Sequence, residues 1–239
     1  MSILRRRLNQ AISLLTGVRQ IRSANRDGPN TLWIGDSHAR FNLGHGRLSR
    51  RLARIDSKNF VWSIGPRLAY SITRKGWPVD VRVGARLTNQ HTRTPNETVF
   101  VLGEIDIRMF LSQEVAKASV SLDFLQSYLA RCQELACLQR RRPVVAVPIP
   151  PSSWLDLDFS PGAGPTQDRL AAHVIFRQQL FHLAARNLNA PIAIFDCSNT
   201  LSDENGLLNE IYTDDGCHLN DAGALLYRKE WSEFRSNLP

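Results

Sequence analysis

The stretch Thr31-Leu32-Trp33-Ile34-Gly35-Asp36-Ser37-His38 places a serine just after a short apolar run. The β-branched and large apolar residues of 31–34 are typical of a strand that is buried on both faces. Gly35 permits a tight turn after that strand, so the hydroxyl of Ser37 is predicted to project into a cleft at the strand end. Because Asp-Ser is also a common turn or helix-capping pair, the stretch alone leaves a structural role for Ser37 open.

Four further apolar runs alternate with helical segments along the chain. Five strands that alternate with helices indicate a parallel sheet covered on both faces. The ligand site of such a sheet lies at the carboxyl ends of its strands, where Ser37 is predicted to lie. We therefore predict an α/β fold, a flavodoxin-like three-layer α/β/α sandwich with a five-stranded parallel sheet. The predicted strands are 31–34, 60–64, 98–102, 143–148 and 191–195, and the predicted helices are 114–139, 166–188 and 221–236.

Charge is distributed unevenly along the 239 residues. Residues 1–54 hold eleven arginines against two aspartates, a net charge of +9, whereas the whole chain carries +8. A hydrophobic fraction of 43% over this length fits one large domain better than two small ones. We predict a basic N-terminal extension at 1–28 and a single catalytic domain at 29–239.

Residues 2–22 carry apolar side chains at helical spacing with arginines between them, which predicts a basic amphipathic helix. Two interpretations stay open: the helix packs on the domain or a partner subunit, or it attaches to an anionic membrane surface. Nucleic acid is not an expected partner, because the arginines lack interleaved aromatic residues. The sequence has neither the continuous apolar core of a signal peptide nor the roughly 20 apolar residues of a membrane span, so we expect a cytoplasmic protein, with peripheral membrane attachment as the alternative.

The four cysteines are Cys132, Cys137, Cys197 and Cys217. Their spacing matches neither a disulfide framework nor a zinc ribbon or finger. We expect reduced thiols, no metal site and no cofactor.

A second polar motif, Thr213-Asp214-Asp215-Gly216-Cys217-His218-Leu219-Asn220, precedes the last predicted helix. A serine hydroxyl needs a base within hydrogen-bonding distance, and the base benefits from a carboxylate that fixes its tautomer. Asp215 and His218 have the types and spacing for these two roles. An isolated Asp-x-x-His can equally cap a helix or hold a metal. Here a catalytic role is favoured because the motif comes last in a chain whose first strand ends in Gly-Asp-Ser.

Together these motifs resemble those of the SGNH (GDSL-like) hydrolase superfamily. Gly65 and Gly103 follow the second and third predicted strands where that family places further conserved blocks, so the resemblance extends over 31–236. It implies that Ser37 is the nucleophile, His218 the base and Asp215 its partner. It also implies that the backbone amides of Ser37 and Gly65 bind the oxyanion.

One family feature is missing. The third block usually reads Gly-x-Asn-Asp, with the asparagine donating to the oxyanion, but Ile105 occupies that position in Gly103-Glu104-Ile105-Asp106-Ile107-Arg108. Either Arg108 or a displaced backbone amide substitutes for it, or the site does not hydrolyse esters in the usual way. The string Gly-Glu-Ile-Asp-x-Arg resembles a divergent group of SGNH-like proteins linked with bacterial polysaccharide modification.

Five side chains are candidates for substrate binding. Glu104, Asp106 and Arg108 are equally consistent with an internal ion network. Trp154 lies in the Pro- and Gly-rich segment 148–166, where it either stacks on a sugar ring or packs the loop onto the domain. The five candidates are His38, Glu104, Asp106, Arg108 and Trp154.

The function that this pattern predicts is hydrolysis of an acyl ester, with an acylated glycan as the expected substrate. Two alternatives use the same fold: a glycan O-acyltransferase with the same triad, and a non-catalytic glycan-binding protein. A membrane-associated scaffold directed by the basic helix is a further interpretation. The oligomeric state is left open.

Overall fold

A computed structural model of the protein describes residues 15–16, 18–21, 23, 30–46, 52–88, 96–155, 162–186 and 191–238. These residues form a central β-sheet with helices on both faces. The predicted α/β/α architecture is thus confirmed.

The sheet has six strands in the order β2-β3-β1-β4-β5-β6. All neighbouring pairs are parallel except β2 with β3, which is antiparallel. The five predicted strands are present, but the predicted number was wrong, because β2 adds an antiparallel edge strand. The strands are β1 Thr31–Gly35, β2 Leu52–Arg54, β3 Asn59–Ser63, β4 Glu97–Val101, β5 Arg142–Ala146 and β6 Ala193–Phe195.

The edge strand β2 is short and ends in a tight turn. It has only three residues, Leu-Ala-Arg, so it carries no apolar run that a sequence pattern would detect. The turn that leads into β3 is held by Asp56, whose carboxylate accepts from the amides of Lys58 (2.7 Å) and Asn59 (2.8 Å). The hydrogen bonds of Asp56 in the turn therefore help to fix the pairing of β2 with β3.

The helices account for most of the remaining described residues. The predicted helix 114–139 was wrong in its extent, since it is broken between 116 and 124, where Ala118 has a positive φ of 52°. No helix was predicted between 64 and 97, where two short helices lie. The helices are α1 His38–Phe41, α2 Ala69–Lys75, α3 Val79–Thr88, α4 Glu104–Asp106 with a π-helical turn Ile107–Leu111, α5 Ser112–Ala116, α6 Phe124–Gln139, α7 Thr166–Arg186, α8 Ser198–Leu201, a 3₁₀ turn Glu210–Tyr212 and α9 Asp221–Ser236.

Alternate residues of the central strands form two apolar cores, one on each face of the sheet. Ile34 and Phe100 belong to the first core, and Trp33 and Val99 to the second. All four side chains are fully buried. This is the pattern expected for parallel strands that are covered by helices on both sides, and it holds the strand ends rigidly.

The N-terminal helix is described only in part. Residues 15–16, 18–21 and 23 are helical, and Val18 and Ile21 belong to the first apolar core. Residues 2–14, 17 and 22 of the predicted amphipathic helix lie outside the described residues, so its attachment to a membrane surface stays a prediction. No helix in the described part of the chain is long and apolar enough to cross a bilayer.

A buried histidine in α7 makes the stability of the fold depend on pH. The ring Nε2 of His173 lies 2.9 Å from the carbonyl oxygen of Pro148, and burial lowers the pKa of this imidazole. Below about pH 6.5 the unfolded chain therefore takes up a proton that the folded chain resists, so stability falls as pH falls, by at most about 1.4 kcal/mol per pH unit.

The variant His173→Gln keeps an N–H donor but does not titrate. Urea unfolding at pH 7.5 and pH 5.5 should show that the wild type loses more stability on acidification than this variant does. Equal losses of stability in the two proteins would mean that His173 is not the group whose protonation lowers the stability of the fold.

Candidate active site

The strand register brings three loops together at one edge of the sheet. Gly35 at the end of β1 pairs with Ser63 of β3 and with Val101 of β4. The segments that follow, which carry Ser37, Gly65 and Gly103, therefore leave the sheet side by side. A Cβ atom on Gly35 would lie 2.2 Å from the carbonyl oxygen of Val101, so close packing of the strands requires glycine here.

Ser37 stands at the first turn of α1. Its carbonyl oxygen accepts from the amides of Arg40 and Phe41, which fixes the helix directly after the serine. The fully buried Asp36 accepts from the amide of His38 at 2.9 Å. Burial raises the pKa of Asp36 to about 6. These bonds hold the backbone on both sides of the serine hydroxyl.

The loop 213–220 positions Asp215 and His218. One carboxylate oxygen of Asp215 accepts from the amides of Cys217 (2.8 Å) and His218 (2.7 Å), and the other accepts from Nδ1 of His218 at 2.7 Å. The helix cap at this point is a different residue, Asn220, whose side chain accepts from the amides of Ala222 and Gly223. Asp215 is thus directed toward the imidazole rather than toward α9.

The structure brings the three predicted catalytic side chains together. Nε2 of His218 lies 3.0 Å from Oγ of Ser37, although 181 positions separate them in the sequence. Because Asp215 accepts the Nδ1 proton, the neutral imidazole presents an unprotonated Nε2 to the serine hydroxyl. This arrangement can remove the proton from Ser37 and deliver it to a leaving group.

Electrostatics keep His218 in its basic form. Burial lowers the pKa of His218, and the nearby charge of His38 adds to this effect, while Asp215 opposes it. Although burial alone would raise the pKa of Asp215, hydrogen bonds from the His218 ring and from two backbone amides hold it well below its usual value. The ring of Phe41 stacks on His218 with centroids 4.1 Å apart, which restricts rotation of the base.

Glu104 joins two cations beside the triad. It accepts from Nε (2.6 Å) and Nη2 (3.1 Å) of Arg108, and Nε2 of His38 lies 3.2 Å from one of its oxygens. Burial would raise the pKa of Glu104, but its bonds to His38 and Arg108 lower it to about 2. Burial also opposes protonation of His38, but contacts with Cys217 and Glu104 outweigh that effect and raise its pKa. Three charged side chains therefore line the cleft.

Asp106 is not part of this network. Its carboxylate accepts from the amides of Ala69 (2.7 Å) and Tyr70 (3.1 Å), at the start of α2, and burial raises its pKa to about 6. Because residues four apart share a helix face and residues two apart do not, Glu104 and Arg108 meet while Asp106 is directed elsewhere. Of the ion network that was one alternative for these three residues, the structure shows the pair of Glu104 with Arg108 and places Asp106 outside it.

The predicted oxyanion and loop residues occupy the same edge of the sheet. Gly65 has a φ of +78°, and an added Cβ would meet no atom within 4 Å, so the space beside it is open. Trp154 is 40% exposed. A hydrogen bond connects the loop of Trp154 to the loop 213–220: the hydroxyl of Ser152 donates to the carbonyl oxygen of Gly216 at 2.8 Å. Residues 156–161 of this loop lie outside the described residues.

Two contacts in the site were missed by sequence reasoning. Phe41 lies four residues after Ser37, one helical turn away, so helical spacing would have placed it near the serine. Sγ of Cys217 lies 3.9 Å from Nε2 of His38, a contact between residues 179 positions apart. No local spacing indicates the second contact, because it depends on the fold.

The space around the triad is divided into small and large parts. A cavity of about 20 Å³ is lined by residues that include Arg108, Arg169 and Cys217, and another of about 10 Å³ borders Asp36 and His38. An open groove of about 780 Å³ is lined by residues that include His45, Asp214 and Phe41, whose ring stacks on His218. Wide open space therefore borders Phe41, and only small cavities border Cys217 and His38.

Comparisons with known proteins identify the fold. No family model matches the sequence, and the comparison with curated proteins gives no significant match. A solved structure from Streptococcus pneumonia, described provisionally as a platelet activating factor, is 17% identical with a TM-score of 0.55 and covers 98% of this chain and 99% of its own. A GDSL-like lipase from Bacteroides thetaiotaomicron is 15% identical (TM-score 0.52; 92% and 98% covered), and an acetylxylan esterase from Geobacillus stearothermophilus is 14% identical (TM-score 0.52; 86% and 93% covered). The chain thus shares the α/β fold of these proteins.

Proposed function

We propose that the protein is a serine-dependent acyl-ester hydrolase of the SGNH type. The observation that carries the proposal is the hydrogen-bonded chain from Oγ of Ser37 to Nε2 of His218 (3.0 Å) and from its Nδ1 to Asp215 (2.7 Å). The fold shared with GDSL-like lipases and an acetylxylan esterase supports it. Retention of all three side chains in contact argues against a purely binding protein.

The reaction proceeds in two steps. His218 takes the proton of Ser37 as Oγ attacks the carbonyl carbon, and it returns that proton to the departing alcohol as the ester bond breaks. His218 then removes a proton from water, which attacks the acyl-serine. The bond between the acyl carbon and Oγ breaks, and His218 returns the proton to Oγ as the acid leaves. If a sugar hydroxyl replaces water in the second step, the same groups carry out O-acyl transfer.

The substrate is proposed to be a glycan that carries a small acyl group such as acetyl. The fold that this chain shares with an acetylxylan esterase supports a small acyl group, and the cavities that border Cys217 and His38, of about 20 and 10 Å³, are too small for a long acyl chain. The wide groove next to His218 has an aromatic ring and polar side chains for a sugar. The rate constant kcat/KM for p-nitrophenyl esters should therefore fall by at least about tenfold from acetate to octanoate, because one unaccommodated methylene costs about 1–3 kcal/mol. Faster octanoate hydrolysis would contradict the small acyl site.

Arg108 is proposed to replace the oxyanion donor that Ile105 lacks. The guanidinium has five N–H donors, and Glu104 fixes it through two of them. Arg108→Gln should lower kcat by about 100-fold, the typical effect of removing one oxyanion donor. Adding Ile105→Asn should recover part of this loss, whereas Ile105→Asn alone should change kcat little. If Arg108→Gln left kcat unchanged, the oxyanion would be bound by backbone amides alone.

The test of the proposed function is covalent labelling of the nucleophile. Incubation with diethyl p-nitrophenyl phosphate should add one diethylphosphoryl group, located at Ser37 by peptide mass spectrometry. The variant Ser37→Ala should remain unlabelled under the same conditions. Labelling elsewhere in the wild type, or none at all in folded protein, would refute the proposal.

A further inference from the structure

Three potential metal ligands converge in the cleft, and the carboxylate of Glu104 lies beside one of them. One donor atom from each of His38, Cys217 and His218 lies within 4.8 Å of the others. Around Nε2 of His38, Sγ of Cys217 is at 3.9 Å and an oxygen of Glu104 is at 3.2 Å. Nitrogen, sulfur and carboxylate oxygen are the donors that Zn²⁺ prefers in proteins.

Two separations around His38 are close to those of a tetrahedral zinc site. From the usual zinc–ligand bond lengths, a sulfur and a nitrogen on one ion lie about 3.6 Å apart, and a nitrogen and an oxygen about 3.4 Å apart. The observed 3.9 Å and 3.2 Å differ from these by a few tenths of an ångström. The contacts of His38 with Cys217 and with Glu104 therefore already have about the lengths that a shared zinc ion would set.

Charge and supporting contacts also fit a divalent ion. An ionised Cys217 and an ionised Glu104 supply two negative charges to the site, and the guanidinium of Arg108 balances one of them. Arg108 holds Glu104 in place, and Asp215 accepts from Nδ1 of His218. A carboxylate on the other ring nitrogen is the usual support of a zinc-bound histidine, and it leaves Nε2 as the donor of His218.

We propose that Cys217, His38, His218 and Glu104 form a site for Zn²⁺ or a similar thiophilic divalent ion, and that the bound ion inhibits the hydrolase. Binding releases the thiol proton of Cys217 and the Nε2 proton of His38 to solvent. The Nε2 lone pair of His218 then lies on the metal and cannot accept the proton of Ser37. The site itself is independent of the proposed function, and only the inhibition rests on it.

A Co²⁺ titration of the full chain tests the site without any activity measurement. The wild type should develop a thiolate-to-cobalt charge-transfer band, and Zn²⁺ should abolish it by displacement. Ser37→Ala should bind Co²⁺ as the wild type does, because it keeps all four ligands. Cys137→Ser is the matched control, since Cys137 is exposed and lies outside the site.

The variant Cys217→Ser should lose the band, and His38→Gln, which removes a different ligand, should weaken Co²⁺ binding at least about tenfold. Folding of each variant is checked by circular dichroism. Absence of the band in the folded wild type, or its survival in Cys217→Ser, would overturn the site.

Inhibition is measured with p-nitrophenyl acetate in the presence of Zn²⁺ or of Mg²⁺. Zn²⁺ alone should inhibit the wild type, reversibly on addition of a chelator, and Cys217→Ser should be at least about tenfold less sensitive. A cobalt band without any esterase activity would overturn the proposed function and keep the site. Activity that Zn²⁺ leaves unchanged while cobalt binds would overturn the inhibitory role.

Discussion

Replacing Ser37 by alanine is expected to lower kcat for p-nitrophenyl acetate by about 10⁴- to 10⁶-fold. The variant keeps the contact between His218 and Asp215, the fold and the cleft, because the hydroxyl makes its contact with His218 from the start of α1 rather than from the core. What it loses is the atom that forms the acyl-enzyme in the proposed mechanism. Only catalysis by the oxyanion donors and by binding would remain.

The measurement is the initial rate with substrate in excess, for variants whose circular dichroism matches the wild type. Ser232→Ala is a suitable control, because this serine is exposed on α9 and its hydroxyl donates to a backbone carbonyl. Its rate should equal that of the wild type. A Ser37→Ala rate within tenfold of wild type would mean that the esterase activity comes from another group.

The fold and the triad could be predicted because their signals are local. The apolar run of β1 followed by Gly-Asp-Ser, and the Asp-x-x-His before α9, each lie within eight residues, and parallel strand order brings their ends to one edge. The edge strand β2 could not be predicted, since three residues beside a tight turn carry no periodic pattern. Helices α2 and α3 are short, and Gly76, with a φ of +70°, separates them, so neither gives a long helical period.

The surroundings of the triad were predictable only in part. The residue types of the Glu-Ile-Asp-x-Arg string indicated an ion network. The directions of these side chains, however, depend on helical geometry. That geometry pairs Glu104 with Arg108 and directs Asp106 to the amides at the start of α2. The contact between Cys217 and His38 connects residues that are 179 positions apart in the sequence. Such a contact exists only after the strands have assembled, so spacing rules for metal ligands do not detect it.

Replacing Asp215 by asparagine is expected to lower kcat by about 10⁴-fold while leaving the loop in place. The asparagine carbonyl can still accept from the amides of Cys217 and His218, which hold the carboxylate now. Its amide group, however, then faces Nδ1 of His218 and favours the tautomer in which Nε2 carries the proton. An Nε2 that already bears a proton cannot take one from Ser37. The variant therefore keeps the geometry of the loop but loses proton transfer from the serine.

The neighbouring residue provides the control for this substitution. Asp214 is exposed and contacts the side chain of Asn220, so Asp214→Asn removes the same charge from the same loop without touching the imidazole. Its kcat should stay within about tenfold of wild type, since exposed charges contribute little. If both variants lost activity equally, loop charge rather than the tautomer of His218 would be the cause. A large loss confined to Asp215→Asn ties the rate to the single hydrogen bond between that carboxylate and Nδ1.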